Sequence, residues 1–120
     1  LIPVTNTAPT ATFFNPGAVA EGGTAVATFA GPLDPSAADT AAGFRYAYDF
    51  DNDGAFDLGD GTYAGSVPAA SAAVPAEFLD SGPGNRLVRV RVVDKDGGFS
   101  QYQTLIPVTN TAPTATFFNP

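Results

Sequence analysis

The segment DFDNDGAFDLGD, residues 49–60, contains five carboxylates and no basic side chain. Carboxylate and carbonyl oxygens are the ligands that Ca²⁺ prefers in proteins. If Asp49 is position 1 of a loop, Asp51 and Asp53 occupy positions 3 and 5, and Gly54 occupies position 6. EF-hand calcium loops have this spacing, because the glycine allows the sharp turn that brings the alternating side chains together. The segment therefore predicts a calcium site.

The predicted ligands are six groups in this segment, namely the carboxylates of Asp49, Asp51, Asp53, Asp57 (directly or through water) and Asp60, and the backbone carbonyl of Ala55. The twelfth position of an EF-hand loop is normally a bidentate Glu, and Asp is one methylene shorter, so we expect weak affinity. The flanking runs FRYAY and GTYAGS alternate like strands, which predicts a calcium loop inserted in a β-hairpin. A solvated acidic turn is the alternative, since Asp-Gly and Asn-Asp are common in turns.

A second, weaker candidate is the run DKDGG, which contains Asp94 and Asp96. A tight hairpin turn accounts for these residues without a metal. They become ligands of a second ion if the fold brings them near Asn6 or Asn110.

Composition narrows the classes of function. The formal net charge of −7 disfavours nucleic acid and membrane surfaces as partners, since both attract basic proteins. The chain has no Cys and no His, so common transition-metal ligands and the usual general base are missing. A crowded acidic loop is a poor place to raise the pKa of one carboxyl selectively, as glycosidases require. We therefore expect no enzymatic activity, and no apolar run is long enough to insert in a membrane.

Short alternating runs separated by Gly and Pro predict seven strands, at Pro9–Phe14, Thr24–Phe29, Phe44–Phe50, Gly61–Val67, Val74–Leu79, Arg86–Val93 and Phe99–Val108. Seven such strands predict an all-β fold, a two-sheet antiparallel sandwich. One helical turn is expected after Asp34, and residues 64–73 are expected to be mostly connection. The predicted inward-facing residues are Phe44, Tyr46, Tyr48, Val88, Val90 and Val92, with Arg89 and Arg91 facing outward.

The ends of the chain are the same sixteen residues, LIPVTNTAPTATFFNP, at 1–16 and 105–120. The offset of 104 residues predicts a tandem repeat. We expect residues 1–8 to be the strand end and linker of a preceding repeat. Residues 9–112 then form one complete repeat, and residues 113–120 begin the next. The linker TNTA runs directly into proline, which restricts the preceding residue to extended conformations and predicts a short, semi-rigid joint.

Several of these motifs resemble polycystic-kidney-disease-type (PKD) domains. The family's aromatic-Asp-Phe-Gly-Asp-Gly-Thr run resembles Tyr48–Phe50 and Gly59–Thr62, here split by the eight-residue insertion DNDGAFDL. VRVRVVDKDGG resembles the family's later strand pair, and the NTAPTATF joint resembles those between repeats of very large bacterial surface proteins. The chain departs from the family at residues 85–87, where Asn-Arg-Leu replaces a usual tyrosine. The resemblance implies an Ig-like sandwich.

The expected function is a structural repeat of a bacterial extracellular or cell-surface polyprotein, such as a filament, stalk or adhesin shaft, rigidified by Ca²⁺. Its expected partners are neighbouring copies of the same repeat. One alternative is a carbohydrate- or protein-binding module that accompanies a secreted enzyme. Because the chain has no Trp and because Tyr46 and Tyr48 are predicted to be buried, Tyr63 and Tyr102 are the tyrosines that could contact a sugar. Another is a 120-residue subunit that polymerises by exchanging strands.

Overall fold

Two β-sheets and one short helix make up the protein in the computed structural model, which describes residues 3–80 and 82–110. In chain order the elements are β1 (Thr10–Phe14), β2 (Val19–Ala20), β3 (Ala25–Leu33), α1 (Ala37–Ala42), β4 (Arg45–Asp49), β5 (Ser71–Val74), a 3₁₀ turn (Ala76–Phe78), β6 (Gly84–Val93) and β7 (Phe99–Thr109). The predicted all-β class is confirmed. Within the described ranges, no helix has the length and apolar character needed to cross a membrane.

The strands form a three-stranded sheet of order β1-β3-β5 and a four-stranded sheet of order β2-β7-β6-β4. The pairings are antiparallel with one exception, the parallel pairing of β2 with β7, in which Val19 lies opposite Val108. The prediction of a wholly antiparallel arrangement is therefore wrong at this edge. Sequence reasoning missed β2 because two residues are too few to show an alternating pattern.

The hydrophobic core lies between the two sheets and confirms the predicted register. Tyr46, Tyr48, Val88, Val90 and Val92 are buried in it, and Phe44 packs against its edge. The facing sheet contributes the buried residues Ala25, Ala27, Phe29 and Val74. Arg89 and Arg91 remain partly exposed on the opposite face of β6. A slip of one residue would have reversed these faces, so the alternation along β6 determines which side chains enter the core.

The prediction of a strand at Gly61–Val67 is wrong. The segment forms turns, and its backbone pairs with that of β4 at a single isolated bridge, between Val67 and Tyr46. Side chains satisfy its backbone instead: Thr62 N donates to Asp60 Oδ1 at 2.8 Å, and Gly61 N donates to Ser66 Oγ at 3.1 Å. Such local side-chain hydrogen bonds compete with a strand ladder.

The predicted strand Val74–Leu79 is displaced. The strand is Ser71–Val74, and it ends where Pro75, which has no N–H to donate, precedes the 3₁₀ turn. Three residues of this strand come from the segment expected to be mostly connection. The helical turn expected after Asp34 is present as α1, whose N-cap Ser36 accepts a hydrogen bond from Asp39 N at 3.2 Å.

The core assignment predicts unequal costs for two leucine truncations. Leu79 is completely buried, whereas Leu33 is 67% exposed. We expect Leu79→Ala to lower the free energy of unfolding by about 2–5 kcal/mol, and Leu33→Ala to change it by less than about 0.5 kcal/mol. Urea denaturation measures both values, and equal effects would contradict the core described above.

Candidate metal centres

The 49–60 loop leaves β4 at Asp49 and returns to pair with the same strand. Tyr48 N donates to Leu58 O at 2.9 Å, and Asp57 N donates to Tyr48 O at 2.8 Å. These hydrogen bonds hold the two ends of the loop together at the edge of the four-stranded sheet. A loop therefore follows β4 as predicted, but an isolated bridge closes it, and the predicted second strand of a hairpin does not form.

Three of the predicted ligands come together in this loop. Asp49, Asp51 and Asp53 each place a carboxylate oxygen within 4.8 Å of the other two. The buried carboxylate of Asp49 accepts hydrogen bonds from Asp53 N at 3.4 Å and from Gly54 N at 3.2 Å. Gly54 has a φ of +91°, which L side chains rarely adopt, so position 6 requires glycine as the pattern predicts.

The charges in this group repel one another. The pKa of Asp51 is raised, first by burial, then by its hydrogen bond with Asp49 and by repulsion from Asp57 and Asp53. A raised carboxyl pKa means that the folded state binds the proton more tightly than the unfolded chain does. Ionised Asp51 therefore opposes folding at neutral pH, and its effect disappears as the pH falls through the raised pKa. A bound cation would relieve the same repulsion.

The other predicted ligands of this loop have different partners. Asp57 Oδ2 accepts a hydrogen bond from Phe50 N at 2.8 Å. Asp60 Oδ1 accepts from the Thr62 hydroxyl at 2.6 Å, and the hydrogen bonds from Thr62 lower the pKa of Asp60. Neither carboxylate belongs to the group of three. Their coordination, and that of the Ala55 carbonyl, stays a prediction.

The fold brings a basic residue to this loop, although residues 49–60 themselves contain none. Arg89 Nη2 lies 3.3 Å from Asp49 Oδ2. The guanidinium carbons of Arg89 and Arg91 lie 4.8 and 5.0 Å from the centroid of the Phe56 ring. Phe56 thus packs the loop against the outer face of β6 through cation–π contacts. A basic side chain from a distant strand therefore compensates part of the negative charge of this loop.

A second acidic group lies where the linker meets the domain. Asp34, Asp39 and Asp94 each place a carboxylate oxygen within 4.8 Å of the other two. They come from the end of β3, from α1 and from the turn after β6. Asp94 Oδ1 closes that turn by accepting from Asp96 N and Gly98 N, both at 2.9 Å. It also accepts from Asn6 Nδ2 at 3.3 Å, so the fold does bring Asn6 to Asp94.

The sequence also predicted Asp96 and Asn110 as ligands of a second ion, and the structure places these two residues differently. Asp96 pairs with Lys95 Nζ at 3.0 Å, an interaction that lowers the pKa of Asp96. Lys95 Nζ also lies 3.2 Å from Asp39 Oδ1. Asn110 is beside Gly82 at the other end of β7, so it does not join Asn6 in this group.

Sequence reasoning did not predict Asp34 and Asp39 as site residues. Asp34 was interpreted only as the start of a helical turn, and its Oδ1 does accept a hydrogen bond from Ser36 N at 2.8 Å. Only the packing of α1 against the β6–β7 turn brings these carboxylates to Asp94. No spacing pattern in the sequence connects segments so far apart.

No protein-family model matches the chain, and no curated protein is significantly similar to it in sequence. The resemblance to PKD-type domains therefore stays a prediction that rests on the motifs quoted above.

The contact between Arg89 and Asp49 predicts competition with a metal ion. Arg89→Gln removes the positive charge 3.3 Å from Asp49 Oδ2. We expect it to strengthen calcium binding by the loop about two- to five-fold, from a pair worth about 0.5–1 kcal/mol. Calorimetric titration measures the change. Arg91→Gln is the matched control, because Arg91 contacts Phe56 without pairing with Asp49, and an equal effect of the two substitutions would contradict direct competition.

Proposed function

We propose that this chain is an Ig-like structural repeat of a bacterial extracellular or cell-surface polyprotein, acting in a filament, stalk or adhesin shaft and stiffened by Ca²⁺. The observation that carries the proposal is the environment of one repeated residue. Val108 is buried, with 4% of its surface exposed, whereas Val4, the same residue of the repeated segment, is 92% exposed. Burial of a valine side chain contributes about 1.5–3 kcal/mol. A preceding repeat would supply the core that Val4 lacks here.

The contacts that hold the end of the linker fit a repeat that begins at residue 9. Pro9 directly follows the linker and is fully buried. Its carbonyl accepts a hydrogen bond from the Ser100 hydroxyl at 2.6 Å. These contacts of Pro9 support the proposed start of the repeat at residue 9, with a short linker before it. The proposed start of the next repeat, residues 113–120, lies outside the described residues.

The strand topology supports the Ig-like interpretation. In Ig-like sandwiches, strands A, B and E share one sheet, and C, F and G share the other. The sheets β1-β3-β5 and β7-β6-β4 have this division if β1, β3 and β5 are A, B and E. The N-terminal segment passes from β1 in one sheet to β2 in the other.

The proposed role of calcium in the 49–60 loop is to neutralise Asp49, Asp51 and Asp53. Their carboxylates are close enough to share one ion, and hard cations bind such oxygen clusters. Binding to the folded state alone stabilises it by mass action. In an array, the same increment would be present in every repeat and would oppose local unfolding under tension.

Contacts within the domain weigh against the alternative of a carbohydrate-binding module. The Tyr63 hydroxyl donates towards Gly43 O at 3.2 Å, and Arg45 lies over the Tyr63 ring. The Tyr102 ring packs edge-on against Phe29, and its hydroxyl accepts from Ala11 N. The two tyrosines that sequence reasoning left as candidates are thus engaged inside the domain. The other alternative, polymerisation by strand exchange, explains the exposure of Val4 equally well. Experiment can distinguish it from the tandem array.

A matched pair of substitutions tests the tandem array. In the 120-residue chain, Val108→Asp should cost at least about 3 kcal/mol because it buries a charge without a partner. Val4→Asp should change the free energy of unfolding by less than about 0.5 kcal/mol. In a chain extended by a complete preceding repeat, Val4→Asp should become as costly as Val108→Asp. Chemical denaturation of both chains measures these values.

The same experiment separates strand exchange from the array. If residues 1–8 insert into another copy, Val4→Asp should dissociate an oligomer of the 120-residue chain, which size-exclusion chromatography would detect. The mass of the native protein under denaturing conditions gives an independent answer. A 12.2 kDa species would support strand exchange, whereas a very large species or a ladder would support the polyprotein. If Val4→Asp leaves the free energy of unfolding of the extended chain unchanged, the proposed limits of the repeat are wrong.

Calcium removal should lower the melting temperature. At ten times Kd, an ion bound only to the folded state contributes about 1.4 kcal/mol, which corresponds to about 5–10 °C for a domain of this size. We expect chelation to remove this increment, and Asp51→Asn with Asp53→Asn to remove the share that comes from the loop. Scanning calorimetry with and without chelator checks both expectations.

The control is Glu77→Gln with Asp80→Asn, which removes the same number of charges at two exposed positions. It should leave the response to chelator unchanged. If the Asp51 and Asp53 double variant responds like the wild type, and titration of the wild-type loop shows no binding up to ~10 mM, the loop is an acidic turn and the calcium part of the proposal fails.

A further inference from the structure

Four carboxylate oxygens in the acidic group at the linker have no hydrogen-bond partner. They are Asp34 Oδ2, both side-chain oxygens of Asp39, and Asp94 Oδ2. Asp39 and Asp94 are 1% and 0% exposed, so water cannot freely solvate these oxygens. The buried Asp49 of the other loop differs, because backbone amides and Arg89 bond both of its oxygens. Buried carboxylates are normally paired or bound to a metal, since isolation in a low-dielectric interior costs several kcal/mol.

Lys95 does not balance this group. Its ammonium forms an ion pair with Asp39 Oδ1 at 3.2 Å, and its other contacts go to Asp96, so Asp34 Oδ2, Asp39 Oδ2 and Asp94 Oδ2 are left without a partner. The group and the neighbouring Asp96 carry four carboxylates, and the ammonium of Lys95 pairs with two of them, those of Asp39 and Asp96. The Lys95 side chain is 37% exposed and can turn towards solvent. A divalent cation would remove more of the excess negative charge than the ammonium does.

The chemistry of the donors selects the kind of ion. All of the available side-chain ligands are oxygens, which favours Ca²⁺ or Mg²⁺ over metals that prefer nitrogen and sulfur. Asp34 and Asp39 border a cavity of about 440 Å³, which is also lined by the linker with Asn6, by the start of α1 and by Asp96. This cavity has room for an ion that keeps several waters. Flexible geometry with carboxylates, an amide and water is typical of Ca²⁺.

We propose that Asp34, Asp39 and Asp94 form a second divalent-cation site, specific for Ca²⁺, and that Asn6 joins it so that the ion fastens the linker to the domain. Ion binding does not depend on the function proposed above, whereas its consequence for an array does. Because Asn110 repeats Asn6 one period later, each linker in an array would contribute its asparagine to the domain that follows it.

The backbone at Gly98 leaves room for this contact. A Cβ atom at this position would collide with Asn6 Nδ2 and lie 2.8 Å from Asp94 Oδ2. Glycine therefore lets the linker amide reach the acidic group across the β6–β7 turn. Any larger residue would displace Asn6 or crowd the unpartnered oxygen of Asp94. The space is needed for the linker contact rather than for the turn itself, since the φ of Gly98 is not positive.

Calorimetric titration of the 120-residue chain with CaCl₂ tests the site. The Asp51→Asn and Asp53→Asn variant removes the 49–60 loop as a competitor and should still bind one Ca²⁺ per chain. Adding Asp39→Asn should abolish that binding up to ~10 mM. MgCl₂ serves as the comparison ion and should bind more weakly. If the loop variant binds no Ca²⁺ while the wild type binds one, the inference is overturned and the loop proposal stands.

The melting temperature separates a metal ligand from a structural partner of Lys95. In chelator, Asp39→Asn should raise the melting temperature, because it removes a buried charge that Lys95 offsets only in part. In Ca²⁺ the same substitution should lower the melting temperature relative to the wild type. Loss of stability of equal size in both conditions would assign Asp39 to the Lys95 ion pair and overturn the site. Should Asp39→Asn fail to fold, the half-buried Asp34→Asn gives the same comparison.

The linker contact has its own readout in the side-chain amide signals of asparagine. Addition of Ca²⁺ to the loop variant should shift the NMR signal of Asn6 Nδ2–H and leave that of Asn110 unchanged. Gly98→Ala should abolish the Asn6 shift. If Ca²⁺ binds but both amide signals stay in place, the ion does not hold the linker and this part of the proposal is wrong. Failure of the tandem-array experiment would leave the cation site itself untouched.

Discussion

Strand β6 is the constraint on which the rest of the structure depends. It pairs with β4 on one side and along its whole length with β7 on the other. Its valines at 88, 90 and 92 fill the core, so its arginines at 89 and 91 must face outward. The outward arginines then hold the 49–60 loop through Asp49 and Phe56. The end of the strand supplies Asp94, around which the second acidic group forms.

The two acidic groups differ in how far neighbouring atoms compensate the negative charge of a buried aspartate. In the 49–60 loop, backbone amides and Arg89 bond the buried Asp49. At the linker, Asp39 is equally buried but its oxygens have no hydrogen-bond partner. Burial and its neighbour Asp96 raise the pKa of Asp39, and Lys95 only partly offsets this. The linker group is therefore the less balanced of the two, although the loop has the more recognisable pattern of residues.

The acidic group of Asp34, Asp39 and Asp94 lies where it could affect the stiffness of the joint between repeats in the proposed array. The linker enters the domain between Asn6, which contacts Asp94, and Pro9, whose carbonyl is bonded to Ser100. These two contacts hold neighbouring residues of one short segment. The stiffness of the joint then depends on the stability of these contacts, whereas the 49–60 loop would affect the stability of the domain itself. The proposed ions would thus stabilise two different properties, the orientation of the linker and the integrity of the fold.

The sequence by itself determined the class of fold, the inward face of β6, the turn at Gly54 and the grouping of Asp49, Asp51 and Asp53. These features follow from periodicity and spacing within a few residues, which local backbone geometry imposes directly. Only the tertiary structure decided that Arg89 faces Asp49, that β2 pairs in parallel with β7, and that α1 carries Asp39 to Asp94. Those contacts join segments far apart in the chain, and their geometry results from how the two sheets pack, which no local pattern encodes.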